Sequence, residues 1–74
     1  MNSQLRVLLA IIKQGIAEAE QQIANQRKRI RELQSMGLPI VEQEKTLDVM
    51  HVLASTLRDN QLMMERLISG TTEH

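Results

Sequence analysis

The stretch LRVLLAIIKQGIAEAEQQIANQRKRIRELQSMG, residues 5–37, decides the fold. Within it Leu5, Leu9, Ile12, Ile16, Ala19, Ile23, Gln26, Ile30, Leu33 and Gly37 follow one another in alternating steps of four and three. A helix turns once every ~3.6 residues, so a mean step of ~3.5 keeps these positions on one side as a coiled-coil seam. The register ends at a glycine, and Pro39 follows two residues later. A second stripe then runs Ile40, Gln43, Leu47, Met50, Ala54, Leu57, Gln61, Met64 and Ile68. The pattern predicts an all-α fold, a two-helix antiparallel coiled-coil hairpin that takes up residues 1–74 as one domain. Its parts are a first helix over about 4–36, a turn at 37–39, a second helix over about 40–68 and a frayed tail at 69–74.

The punctuation fits this division. Ser3 has the hydroxyl of an N-cap, able to accept from a free N–H of the first turn. Gly37 suits the left-handed position that closes a helix, Leu38 can fold back on the last turn, and Pro39 fits the first position of the next helix. Glu42 and Glu44 sit where the helix dipole favours negative charge. Gly15 is the weak point of the first helix, at roughly 1 kcal/mol relative to alanine. Ser69-Gly70-Thr71-Thr72 reads as the end of the second helix.

Folding the chain back at 37–39 sets Leu9 opposite Ile68, Ile12 opposite Met64, Ala19 opposite Leu57, Ile23 opposite Ala54 and Ile30 opposite Leu47. Gln26 falls opposite Met50 and Gln61 opposite Ile16. A polar residue in a seam costs stability and fixes register or oligomeric state. On one flank of the seam Lys13 comes toward Glu65 and Glu20 toward Arg58, pairs of opposite charge that favour this alignment. On the other flank Leu8 comes toward Leu67, Gln22 toward Leu53 and Arg29 toward Thr46, with Val49 and Met63 nearby. That flank is largely uncharged. Two helices of ~30 residues bury one seam between them, which leaves a hairpin marginal. The uncharged flank is therefore expected to be covered, either in a homodimer that forms a four-helix bundle or by a helical protein partner, with Leu8, Leu53, Met63 and Leu67 at the contact.

Composition narrows the function classes. The 74 residues hold no cysteine, which removes disulfides, thiolate metal sites and thiol nucleophiles. There is no Phe, Tyr or Trp, so base-stacking platforms and interfacial aromatic anchors are missing. Nine basic residues balance nine acidic ones, without the basic excess of a nucleic-acid module. The apolar run Val7 to Ile12 is far short of the ~20 residues that span a bilayer. Arg6 precedes that run as in a signal peptide, but Lys13 interrupts it and the seam register passes straight through. The expectation is a cytoplasmic protein with no membrane span.

No catalytic or cofactor constellation emerges. His51 has no second ligand at helical spacing, His74 is the last residue, and the three glycines form no phosphate loop. Glu18 and Glu20, or Glu42 and Glu44, do not face one another on a helix, and no serine has a base within a plausible arrangement. No enzyme activity, metal or cofactor is expected. The densest charge feature is Arg27-Lys28-Arg29 with Arg31, which would supply phosphate contacts if the protein associated with nucleic acid. The preferred reading is a solvated face, since heptad positions spread the run around the helix and Glu42, Glu44 and Asp48 return at the same end. Met36, Met50, Met63 and Met64 read chiefly as fillers of a core without aromatics, with Met63 the best placed for a contact.

The segment IAEAEQQIANQRKRIREL from Ile16 to Leu33, followed by Met36-Gly37, resembles a group of short uncharacterised helical-hairpin proteins of rhizobia and related alphaproteobacteria. Ile23, Gln26 and Arg27 match an Ile–x–x–Gln–Arg segment there, and Met64-Glu65-Arg66-Leu67 matches the close of the second helix. Leu38-Pro39-Ile40 departs from the group, which tends to be polar at that point. The resemblance implies a hairpin and carries no activity. The small sporulation aspartyl-phosphate phosphatases are hairpins of similar size, but their Ser-Gln-x-Leu-Asp signature is absent: Leu47-Asp48 follows Glu44-Lys45-Thr46.

Overall fold

A computed structural model describes the main chain of residues 2–72 and the side chains of residues 3–70. Helix α1 spans Asn2–Ser35 and helix α2 spans Val41–Thr72, and they lie antiparallel along their whole length. Among the described residues there is no strand. The hairpin measures 60 × 14 × 13 Å.

The two stripes are the seam. Every one of their residues is buried or half-buried except Gly37, and Gly15 joins them. An ideal Cβ on Gly15 would lie 3.8 Å from Leu57 Cδ1, so the bare main chain of α1 comes close to that leucine. The fully shielded core is small: Ala54, Ile23 and Ala19, with Leu47, Met50 and Leu57 packed against them. Alanines at the centre of the seam let the helices approach, and the larger Ile23 and Leu57 fill what remains. Gln26 is held inside the seam, its Nε2 donating to the main-chain carbonyl of Gln43 at 3.0 Å.

Gly37 closes α1 in a full Schellman motif. Its φ is +72°, its N–H donates to Gln34 O at 3.0 Å, and Leu38 N–H donates to Leu33 O at 2.9 Å. Three expectations at the helix ends change. Ser3 is not the N-cap, because α1 already includes Asn2 and a cap needs a non-helical main chain. Pro39 lies before α2 rather than at its first position. Helix α2 starts at Val41, and Ile40 O accepts the first-turn bond from Glu44 N–H at 2.9 Å. Proline disfavours helical geometry in the residue before it, and in the connection its missing N–H leaves no ladder bond unmade. Finally, Ser69 to Thr72 continue α2 instead of ending it. Gly70 keeps a negative φ, and adding one turn to an existing helix costs far less than starting one. Glu73 and His74 fall outside the described residues.

Candidate interaction surface

The flanks of the seam differ as their residues dictate. On one, Arg58 Nη2 donates to Glu20 Oε1 at 3.1 Å, joining α2 to α1. One heptad nearer the turn, Arg27 Nη2 donates to His51 Nε2 at 3.3 Å. A guanidinium can only donate, so His51 Nε2 is the acceptor in that contact. Lys13 and Glu65 do not close to an ion pair; among the described residues the ion pairs are Glu20–Arg58 and Glu42–Lys45. This flank is polar and tied across the seam.

The helical register puts Leu8, Ile11, Val49, Leu53, Met63 and Leu67 on the opposite flank. All are exposed: Leu8 at 45%, Leu67 at 49%, Leu53 at 55% and Met63 at 59%. The hairpin thus leaves the four expected contact residues open to solvent. Ile11 belongs with them, and its spacing of three from Leu8 is the signal that would have found it. Val7, Val52 and Leu62 are also exposed but point along other sides of the helices.

The basic run divides. Arg27 turns to His51, whereas Lys28 and Arg29 border a shallow, open depression with Gln26, Glu32 and Met50. Arg31 is exposed. Lys28, Arg29 and Arg31 enter no ion pair among the described residues, and Glu42 pairs with Lys45 rather than with the run. The four cations therefore form no continuous stripe along which a phosphate backbone could lie. Among the described residues no three His, Asp or Glu side chains gather as a metal cluster, and no helix is long and apolar enough to cross a membrane.

No protein-family model, curated protein or solved structure matches the chain.

Proposed function

We propose that the chain is a non-catalytic protein–protein interaction module that self-associates through the flank carrying Leu8, Leu53, Met63 and Leu67, two hairpins forming a four-helix bundle. The observation that carries this reading is the exposed area. A compact monomer of 8.5 kDa exposes about 4,700 Å², and this hairpin exposes 5719 Å². The surplus of about 1,000 Å² is close to the ~800 Å² that each partner removes from water in a stable interface. The radius of gyration, 17.1 Å, says the same, against about 11 Å for a compact domain of this length. Large apolar side chains are concentrated where charge is scarce, and such a face is the kind that partners cover.

Leu8→Glu tests the reading, since it places a charge at the edge of the proposed contact. Sedimentation equilibrium should show a dimer for the wild type and a monomer for the variant. A wild type that is a folded monomer would end the self-association reading and direct the search to a helical protein partner.

A further inference from the structure

The flank proposed to self-associate is not uniform along its length. At the open end of the hairpin, where the helix termini lie, it consists of Leu8, Ile11, Met63 and Leu67. Toward the turn the same register brings Arg29, Glu32 and Glu42 to it, all exposed. The open end is therefore the more apolar, with Glu18 one heptad beyond Ile11, Leu53 stands near the middle, and Arg29, Glu32 and Glu42 gather toward the turn beside Val49 and Met36.

Resting on the self-association above, we infer that the two hairpins lie side by side with both turns at the same end. With the turns at opposite ends, the four apolar side chains of each copy would cover Arg29, Glu32 and Glu42 of the other. Glu42 would keep Lys45 beside it, but Arg29 and Glu32 would leave water against apolar side chains, which a low-dielectric contact penalises. With the turns together, apolar ends meet apolar ends across the two-fold axis. Arg29 of one copy then comes beside Glu32 or Glu42 of the other, whereas within the single hairpin it enters no ion pair among the described residues. The same distribution works against the opposite orientation, which sets apolar side chains over charges at both ends. The occupant of the flank is thus a second copy in one orientation.

The absence of cysteine makes the test direct. Ser35→Cys, a near-isosteric change at the exposed last residue of α1, carries one spin label per chain, and the distance between the two labels in the dimer is measured by pulsed electron paramagnetic resonance. With the turns together, two cross-sections of 14 × 13 Å hold the labels within about 30 Å of each other. A distance of about 50 Å, most of the 60 Å length, would overturn the orientation while leaving the dimer in place. A monomeric mass with no inter-label distance would overturn self-association and the orientation together. Lys45→Cys, at an exposed position near the same end, provides a second label site whose shorter or longer distance decides the matter independently of the turn.

Discussion

Gln26 and Gln43 are joined across the seam, the side-chain amide of the first donating to the main-chain carbonyl of the second at 3.0 Å. The bond satisfies a polar group that the stripe places between the helices, and it reaches the turn-proximal part of α2 rather than Met50 directly opposite. Gln26→Ala should lower the unfolding free energy by about 1 kcal/mol, the usual net worth of such a bond. Gln26→Leu should be at least as stable as wild type, because leucine fills the space and the carbonyl of Gln43 still belongs to the α2 ladder. Its cost should appear in specificity, as a mixture of oligomeric states. Urea unfolding followed by circular dichroism checks the first expectation and light scattering the second; a destabilised, single-mass leucine variant would contradict both.

Two glycines should respond in opposite directions. Gly15→Ala puts a methyl group 3.8 Å from Leu57 Cδ1, an ordinary contact, and removes the entropic weakness of glycine in a helix. It should stabilise the protein by about 0.5–1 kcal/mol. At Gly37, φ is +72° and open space surrounds the added methyl, so the penalty of Gly37→Ala is purely that of the left-handed main chain, roughly 1–2 kcal/mol. Thermal melts at one fixed protein concentration should move apart by several degrees on either side of wild type.

The Glu20–Arg58 pair should matter little to stability. Both side chains are about half exposed, and pairs of that kind contribute a few tenths of a kcal/mol that salt screens further. A double-mutant cycle with Glu20→Gln and Arg58→Gln should give a coupling of under about 0.5 kcal/mol at physiological ionic strength. A coupling several times larger would mean that the polar flank holds the hairpin closed.

Most of the fold is legible in the sequence because one periodic term dominates it. The two stripes become the seam nearly residue for residue, since a mean step of 3.5 is imposed by the geometry of two helices in contact and not by local detail. Gly37 is equally readable, because a left-handed residue after an apolar repeat has few alternatives. The helix ends at Ser3, Pro39 and Gly70 are less so. Each depends on differences of about 1 kcal/mol between capping and one more helical residue, which neighbouring turns decide. Charge pairing is half legible: Glu20 meets Arg58, but Lys13 stays apart from Glu65, since long exposed side chains gain little by closing. At the candidate surface Leu8, Leu53, Met63 and Leu67 follow from the heptad, while Ile11 is hidden within the apolar run from Val7 to Ile12. The run from Arg27 to Arg31 looks like one feature in the sequence, yet the helix turns Arg27 toward His51 and Lys28 and Arg29 toward the depression beside Met50.

The basic run should accordingly give no specific nucleic-acid binding. Gel shifts with duplex DNA and with RNA should show at most weak association at low salt, lost at physiological ionic strength, because binding through a few scattered cations is held by counterion release alone. Retention of a tight complex at that salt would contradict the division of the run.

The most direct test of the central claim is the solution mass of three proteins by light scattering, with refractive-index detection because the chain has no Trp or Tyr. Wild type, Leu53→Glu and Val52→Glu differ in one charge at adjacent positions. Both side chains are exposed, but Leu53 lies on the flank that carries Leu8, Met63 and Leu67, and Val52 on the outer side of α2. Wild type and Val52→Glu should show twice the 8.5 kDa chain mass, and Leu53→Glu should show the chain mass alone. A monomeric wild type, or equal behaviour of the two variants, would contradict self-association through this flank.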